Sequence, residues 1–378
     1  MNVYITKAAK FLPNAPVGND EMEDYLGLVD GKPSKARTLI LSRNGIKSRY
    51  YALDREGNVT HTNVQMAANA VRGLLDENFT LDDIDVLSCG TATPEQVMPS
   101  HGVMVHGELG GKRNIEVVSF AGSCCAGVDA LKYACMAVEL DPTVNAVASA
   151  SERMSAWMRA CYFQKESEQF HLLKKRPILA FQKDFLRWML SDGAYALLLQ
   201  SKPSENQLSL KVEWVEITSF AHQVKTCMYA GGEKDENGDL HGWASFPEEE
   251  WLNQSLFALK QDVELLAENI VPLGVDYLLQ LFEKHNFKPE EVDWFLPHLS
   301  SMYFKDKIME GSAAKGFVVP EEKWFINLPR IGNIASASGF AMLEELMYSG
   351  KLQKGQTILM MIPESARFSY CYALFTVC

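Results

Sequence analysis

The chain has 378 residues, of which 47% are hydrophobic and 22% charged, and this composition excludes disordered, collagen-like and low-complexity proteins. Its formal net charge of −12 argues against a surface built to bind nucleic acid. The eight cysteines are scattered without a Cys-x-x-Cys pair, so we expect buried thiols in a reducing compartment and no metal site. The sequence has neither a basic N-terminal signal nor a run of about 18 apolar residues, so we expect a cytoplasmic protein without a membrane span.

Short β-rich runs alternate with longer runs of helical period, a pattern typical of layered α/β proteins. The predicted strands are, in chain order, 84–88, 115–119, 144–148, 194–199, 292–296, 357–361 and 371–376. The predicted helices are 64–76, 99–109, 126–140, 247–285 with a break near Pro272, and 335–349. The glycine-rich, charged stretch 231–242 predicts an exposed loop.

An internal repeat divides the chain into two halves. ENFTLDDIDVL at 77–87 resembles HNFKPEEVDWF at 285–295, at an offset of 208 residues. Tyr-Ala-Leu recurs at 195–197 and 372–374, at an offset of 177 residues, so the first half carries 31 extra residues. We therefore predict an N-terminal half at 1–205 and a C-terminal half at 206–378. The extra residues are predicted at 155–188, an aromatic and charged segment suited to covering a pocket or a partner subunit.

A candidate nucleophile lies where a predicted strand runs through a small-residue turn into a helix that begins near Ala126. Unsatisfied amides and the helix dipole at such an N-terminus favour a thiolate, so Cys125 is the predicted nucleophile. The alternative interpretation is that Cys124 and Cys125 are simply two small buried residues in a packing layer.

Two further candidates lie in the second half of the sequence. His298 follows WFLP at the end of a predicted strand, the edge where open α/β sheets place their ligands, although it could instead be a structural histidine. Asn333 precedes a small-residue helix and could be a turn residue or helix cap. The offset of 208 matches Cys125 with Asn333 and Gly90 with His298, which brings thiol, imidazole and amide to one crevice. Such a set suits acyl transfer.

The chain resembles the thiolase-fold condensing enzymes, and within them the β-ketoacyl-acyl-carrier-protein synthase III group. The matching segments are SRNGIKSRYYA at 42–52, Cys125-Ala126-Gly127, LSDGAYALLL at 190–199, Pro297-His298 and Gly332-Asn333. The resemblance implies an α/β thiolase-like fold with two pseudo-symmetric α/β halves in five α-β-α-β-α layers. It also implies a catalytic Cys125, His298 and Asn333, a homodimer, acyl-carrier-protein or coenzyme A thioesters as substrates, and no cofactor.

Departures from that family define the expected substrate pocket. Leu299-Ser300-Ser301 stands where the family usually has Gln-Ala-Asn, and Leu39 stands where a tryptophan often stacks on coenzyme A. Met98 aligns with the residue that reaches into the partner's acyl pocket. The glycine-rich C-terminal loop is replaced by Glu364-Ser365-Ala366-Arg367-Phe368. We therefore expect Met98, Leu39, Ser300, Ser301 and Phe368 to line the pocket, and the backbone amides of Cys125 and Ala366 to form the oxyanion hole.

An acidic protein that receives acidic acyl carrier proteins needs a local basic patch. The candidate docking residues are Arg43, Lys47, Arg49, Lys174, Lys175 and Arg176, with Lys183 and Arg187 nearby.

The implied activity is a Claisen-type condensation of acyl thioesters through an acyl-cysteine. The departures favour secondary metabolism, and the sequence is particularly similar to dialkylresorcinol and flexirubin ketosynthases. Three alternatives stay open: an acyltransferase to a hydroxyl or amine, the initiating synthase of fatty-acid synthesis, and a non-catalytic subunit of a heterodimeric synthase.

Overall fold

A nine-stranded mixed sheet runs through the computed structural model, which describes residues 2–34, 37–162 and 186–378, except the side chains of Asp30, Tyr162 and Leu252. The strands are β1 Tyr4–Phe11, β2 Val17–Gly18, β3 Ser48–Arg49, β4 Val86–Thr91, β5 Glu116–Ala121, β6 Ala146–Glu152, β7 Gly193–Gln200, β8 Leu210–Ser219, β9 Met228–Tyr229, β10 Gly232–Lys234, β11 Leu240–Gly242, β12 Lys260–Gln261, β13 Trp294–Pro297, β14 Thr357–Glu364 and β15 Ser369–Val377.

The helices alternate with these strands along most of the chain. They are α1 Met22–Leu26, α2 Arg37–Asn44, α3 Asn63–Arg72, α4 His101–Leu109, α5 Ala126–Leu140, α6 Ser155–Met158, α7 Glu248–Asn253, α8 Val263–Lys284, α9 Tyr303–Ala314, α10 Leu328–Ile331 and α11 Ser338–Met347. Short 3-10 turns include Ala160–Tyr162, Trp243–Ser245 and Ala335–Ala337.

The sheet consists of two halves joined edge to edge. Its strand order is β13-β14-β15-β8-β1-β7-β6-β4-β5, so four strands from residues 210–377 are followed by five from residues 4–200. The join between the halves is short, because β1 pairs with β8 only through Tyr4 with Lys211 and Ile5 with Leu210. Residues 201–209 connect the halves, close to the predicted division at 205 and 206.

Helices fill the layers on both sides of this sheet. α3 and α4 pack on the outer face of the first half, whereas α8 and α9 cover the outer face of the second. α5 and α11 contact strands of both halves and each other, so they form a central layer. The predicted thiolase-like α-β-α-β-α arrangement is confirmed.

Helix α5 owes its position to small residues. A β-carbon on Gly127 would lie 2.3 Å from the Ser336 carbonyl oxygen and 2.9 Å from the Ala150 β-carbon, so only glycine fits between the turn and the strand. The helix occupies the predicted residues 126–140 and is followed after Asp141 by Pro142, which cannot continue it. It therefore starts directly after the two cysteines.

Each predicted strand overlaps an observed one, but several other predictions are wrong. β1 and β8 are additional to the predicted strands. The predicted helix 247–285 is instead α7, then β12, then α8, and Pro272 lies inside α8 without ending it. The predicted loop 231–242 contains the hairpin formed by β10 and β11.

Within the described residues, α8 is long and apolar enough to cross a membrane by length and composition, although 44% of its most apolar window is buried in the fold. The hydroxyls of Tyr370 and Tyr372 donate hydrogen bonds to the carbonyls of Ile270 (2.9 Å) and Gly274 (2.8 Å) on its packed side. These bonds fix α8 against β15, as expected for a core helix.

Most of the predicted extra segment lies outside the described residues. α6 and the turn Ala160–Tyr162 form its beginning, and residues 163–185 are not described. Lys174, Lys175, Arg176 and Lys183 fall there, so their predicted docking role stays a prediction.

Candidate active site

Two adjoining cavities meet at Cys124. The larger, of about 180 Å³, is lined by Cys124, Ser300, Asn333 and Ala366 among others. The smaller, of about 30 Å³, is lined by Cys124, His298 and Ser300 among others. A thiol, an imidazole and a carboxamide therefore border the same enclosed region.

The predicted nucleophile, Cys125, lies beside the two cavities, and its role stays a prediction. Cys125 is not among the residues that line either cavity. It is the N-cap of α5, and its Sγ faces the Ile362 carbonyl oxygen at 3.6 Å and the Cys371 thiol. Cys124, one residue earlier in the turn, lines both cavities. The motif Cys-Ala-Gly favours Cys125 as the nucleophile, whereas the lining of the cavities favours Cys124.

The predicted oxyanion role of the Cys125 amide stays a prediction as well. Its N–H already donates a hydrogen bond to Oε2 of Glu364, at 3.2 Å. Glu364 is 9% exposed, and burial raises the pKa of its carboxyl group. Sequence reasoning does not single out Glu364, because its position against the N-terminus of α5 depends on where β14 ends.

The Cys124 thiol is held in its neutral form. Burial, reinforced by the nearby Glu364 carboxylate, raises its pKa to about 12, against the smaller opposing effect of the Ser123 hydroxyl, whose Oγ lies 3.8 Å from the sulfur. A nucleophilic thiolate at this position therefore requires a base.

His298 can provide that base from the end of β13. Its backbone N–H donates to the Met361 carbonyl oxygen at 2.8 Å, which fixes the residue beside β14. Burial lowers the pKa of its imidazole to about 4, so the ring is neutral at pH 7. A neutral ring presents one acceptor and one N–H donor, the pair of functions needed to take a proton and later return it.

Asn333 is held at the edge of the larger cavity by three hydrogen bonds. Its backbone N–H donates to Met189 O (3.0 Å), and its carbonyl accepts from Ser191 N (2.9 Å). Its side-chain Oδ1 accepts the Ala335 N–H at 2.8 Å, which turns Nδ2 to the remaining side. Gly332 makes this arrangement feasible, because its φ is +73° and a β-carbon there would lie 2.9 Å from that of Arg49.

The remaining predicted pocket residues divide into two groups. Ser300 and Ala366 line the larger cavity, and the Ala366 carbonyl accepts the Cys227 N–H at 2.8 Å. Ser301 and Phe368 are buried elsewhere: the Ser301 hydroxyl accepts the Tyr303 N–H, and the Phe368 carbonyl accepts the Phe220 N–H. They support the local backbone and do not line these cavities.

Leu39 and Met98 lie on the surface and do not line the two cavities. Leu39 is exposed on α2, and Met98 is 82% exposed before α4. Their predicted pocket roles, including the contact of Met98 with a partner subunit, stay predictions.

One of the predicted docking residues, Arg49, is not accessible on the surface. Arg43 and Lys47 are exposed, but Arg49 is fully buried. Its guanidinium donates to Asn19 Oδ1 (2.6 Å) and the Trp188 carbonyl oxygen (3.3 Å), because β3 turns it into the core. Arg187 is buried as well.

A buried carboxylate joins the two sides of the site. Glu152, at the end of β6, accepts hydrogen bonds from Ala92 N (2.9 Å) and Thr93 Oγ1 (2.7 Å) of one half and from Ser336 N (3.2 Å) of the other. Burial raises its pKa to about 7, against the opposing effect of these donors. An acidic residue ending the small-residue run AVASASE is the sequence signal that could have found it.

In residues 2–34, 37–162 and 186–378, no group of three or more His, Cys, Asp or Glu side chains is placed to hold a metal ion. All eight cysteines are free thiols.

Comparisons with known proteins agree with the sequence and the fold. Residues 282–362 match the family 3-oxoacyl-[acyl-carrier-protein (ACP)] synthase III C terminal. The β-ketoacyl-[acyl-carrier-protein] synthase III of Chlorobaculum tepidum is 23% identical over 363 residues, 95% of each chain. That of Brucella suis is 25% identical over 339 residues, 89% of this chain and 88% of the relative.

Solved structures share the architecture along the whole chain. OleA of Xanthomonas campestris, in a structure with bound lauric acid and lauroyl-CoA, has a TM-score of 0.74 at 18% identity and covers 100% of this chain and 99% of its own. AbyA1, described as a tetronic acid condensing enzyme, has a TM-score of 0.73 at 18% identity, with 99% of both chains covered. These likenesses establish the thiolase-like fold.

In sequence and in fold, the chain is therefore similar to the β-ketoacyl-acyl-carrier-protein synthase III-like condensing enzymes. The resemblance found in the sequence motifs is confirmed at that level.

Proposed function

We propose that this protein joins two acyl thioesters by a Claisen-type condensation through an acyl-cysteine on Cys124. The observation that carries the proposal is the convergence of Cys124, His298 and Asn333 on two cavities that share Cys124 and Ser300. The class of condensing enzymes to which the sequence is similar supports the same reaction type.

In the first step, His298 accepts the thiol proton as the Cys124 sulfur attacks the thioester carbonyl. A C–S bond forms to Cys124, the original C–S bond breaks, and the leaving thiolate takes the proton from His298. The Ala366 end of the β14–β15 loop borders the developing oxyanion. Ion-pair formation between thiolate and imidazolium offsets the unfavourable burial of either charge alone.

In the second step, a malonyl-type thioester yields an enolate by loss of carbon dioxide, or a β-ketoacyl thioester yields one by loss of its α-proton to solvent; a solvent proton later restores the Cys124 thiol. The enolate oxygen accepts hydrogen bonds from Nδ2 of Asn333 and from the imidazole N–H of His298. Its carbon attacks the acyl-cysteine carbonyl, a C–C bond forms, and Cys124 leaves as the thiolate and is reprotonated. Two donors aimed at this oxygen stabilise the transition state.

Paired cysteine variants test the nucleophile. Cys124→Ala should abolish the mass increase that follows incubation with an acyl thioester, whereas Cys125→Ala should retain it. Intact-protein mass spectrometry measures the adduct, and peptide mapping locates it. An adduct mapped to Cys125 and lost only in Cys125→Ala would reverse the assignment.

The proposed product class is a secondary metabolite of the dialkylresorcinol or aryl polyene type. The departures at Leu39 and at Ser300–Ser301 favour a substrate other than that of the fatty-acid initiator. The AbyA1 and OleA descriptions, a tetronic acid condensing enzyme and a protein with lauroyl-CoA bound, are compatible with such a role. The relatives named β-ketoacyl synthase III support the initiating reaction equally, and turnover of acetyl-CoA with malonyl carrier would favour it.

An acyltransferase or a non-catalytic subunit would give a different result in the same assay. An acyltransferase would load Cys124 and pass the acyl group to a hydroxyl or amine without a new C–C bond. A non-catalytic subunit would form no adduct. Acyl-carrier-protein or coenzyme A thioesters are the proposed substrates, with Arg43 and Lys47 as described candidates for carrier docking. The cytoplasmic location stays a prediction.

A further inference from the structure

A third and much larger cavity, of about 790 Å³, lies beside the site and is lined by aromatic side chains. Trp157, Trp243, Trp251 and Phe257 form much of its wall. This volume falls within the roughly 300–1,000 Å³ range of small-molecule sites. Neither step of the proposed condensation uses it.

One wall is an excursion of the chain between Gly231 and Leu256. The backbone N–H groups of Gly231 and Gly232 both donate to the Leu256 carbonyl oxygen, at 2.7 and 3.1 Å, so the excursion leaves and returns at the same point. Within it the Trp243 and Trp251 rings meet edge to face, with centroids 5.2 Å apart. Trp243 is nonetheless 39% exposed and Phe257 52% exposed. Part of the apolar surface of these rings therefore stays unburied and faces the cavity.

The cavity adjoins the larger of the two cavities at Cys124. Trp157 and Ala230 line both this cavity and the larger of the two active-site cavities. Neighbouring residues are also divided between them: Arg153 borders one and Met154 the other, and Ala258 and Leu259 are divided in the same way. Trp157 and Ala230 therefore form the boundary that a chain bound at Cys124 would pass to reach the aromatic space.

The charges of the lining point to an uncharged occupant. Among its described lining residues, the charged ones are Glu95 and Arg153, which form an ion pair at 2.8 Å. Both side chains are less than one-fifth exposed, at 19% and 18%. Since each charge neutralises the other, neither is available for a phosphate or a carboxylate. The remaining surface favours a hydrocarbon.

We propose that this aromatic cavity binds the apolar chain of a long acyl thioester whose carbonyl group lies at Cys124. The inference rests on the proposed condensing function and adds the substrate class, a long hydrocarbon or unsaturated acyl chain. Short acyl groups fit in the active-site cavity and do not reach the excursion. The aromatic wall thus acts as a determinant of chain length.

The first test measures binding without chemistry. Dodecanoic acid and 12-bromododecanoic acid are titrated into the full-length Cys124→Ala protein, and tryptophan fluorescence is followed. Bromine quenches an indole in contact with it, so the brominated acid alone should quench strongly. Combined Trp243→Phe and Trp251→Phe replacement should remove most of that quenching, whereas the matched control Trp214→Phe should leave it unchanged, because Trp214 stacks on His285 and does not line the cavity. Trp157 remains in this double variant and also lines the active-site cavity, so weak residual quenching is expected; quenching as strong without Trp243 and Trp251 as with them would overturn the proposal.

The second test measures loading of the otherwise unaltered enzyme. Ala156 lines the aromatic cavity, and Ala156→Phe should obstruct it. The variant should form the acetyl adduct at the wild-type rate but the dodecanoyl adduct at least ten times more slowly. Equal loss of both adducts, or of neither, contradicts the chain-length role. If no adduct of any length forms on the wild type, the condensing function fails, while the bromine experiment still decides whether the cavity binds the chain.

Discussion

At the scale of single residues, the hydrogen bond that Asn333 accepts from the protein determines which polar group it can offer to a ligand. With Oδ1 occupied by the Ala335 N–H, the polar group that the Asn333 side chain offers to the cavity is a donor. A donor serves the enolate in the second step and has no partner in the first. The two half-reactions therefore depend on it differently.

Asn333→Ala should lower the rate of condensation by about 10²–10³-fold, the cost of removing one oxyanion donor. Formation of the acyl-cysteine should change little, because Cys124 and His298 are unaltered. Rapid-quench assays of C–C bond formation and mass spectrometry of the adduct measure the two steps separately. Equal loss of both steps would show that Asn333 supports the site as a whole.

The sequence predicts that His298 and Asn333 lie at the site, and both line a cavity there. For the thiol, the sequence predicts Cys125, whereas Cys124 lines the cavities. The strand-end position and the repeat offset depend on backbone topology, which the periodicity of the sequence reveals. The choice between Cys124 and Cys125 depends on the geometry of one turn, which decides which side chain reaches the cavity. The run AVASASE could mark Glu152 but not its distant partner Ser336, and Glu364 carries no such signal, because its partner Cys125 comes from the other half of the chain.

At the scale of elements, Glu152 ties the end of β6 to the turn that precedes α11. Its carboxyl group accepts hydrogen bonds from Ala92 and Thr93 on one side and from the backbone and hydroxyl of Ser336 on the other. The tie holds the turn at Ser336, which follows Asn333, against the residues that follow β4. It also places an ionisable group of pKa about 7 in the interior.

This tie makes stability depend on pH in a defined direction. The folded pKa of Glu152 is raised above its ordinary value of 4.5, so its contribution is complete below that value and is lost as pH rises through about 7. The free energy of unfolding of the wild type relative to Glu152→Gln should therefore be larger at pH 5 than at pH 8, by about 3 kcal/mol at most. Urea unfolding at both pH values measures it, with Glu345→Gln as the control. A difference that grows towards pH 8 would contradict the assignment.

The elements are predicted unevenly, for physical reasons. α5 is found with its observed bounds because small apolar residues and a following proline mark it at both ends. β8, LKVEWVEITS, carries an alternation of apolar and polar side chains that would have predicted it. α8 differs from its prediction because Pro272 indicates a break, whereas packing against β15 through Tyr370 and Tyr372 holds the helix together.

At the scale of the whole molecule, the described sheet ends in a strand with one free edge. β5 pairs with β4 on one side only, and its other edge leaves backbone groups open to a further strand. Four exposed apolar side chains lie close by in sequence, before and within α4: Val97, Met98, Val103 and Met104. This edge is where the predicted homodimer would form.

Replacing Met98 and Val103 together by glutamate should therefore convert a dimer into monomers without unfolding them. Repelling charges would be buried in the interface if the dimer formed. Light scattering after size exclusion gives the mass, and circular dichroism verifies the fold. Val318→Glu is the control, since Val318 is 55% exposed in the other half. A double variant that stays dimeric would place the interface elsewhere.

The central position of β1 has a consequence for how the protein is made. This strand leaves the ribosome well before both its neighbours, β7 and β8, which come from residues 193–219. At about 5–20 residues per second, the first strand waits roughly 10–40 s before a neighbour exists. During that interval it is exposed to chaperones and to other nascent chains, so synthesis speed over the first half should influence how much protein reaches the native state.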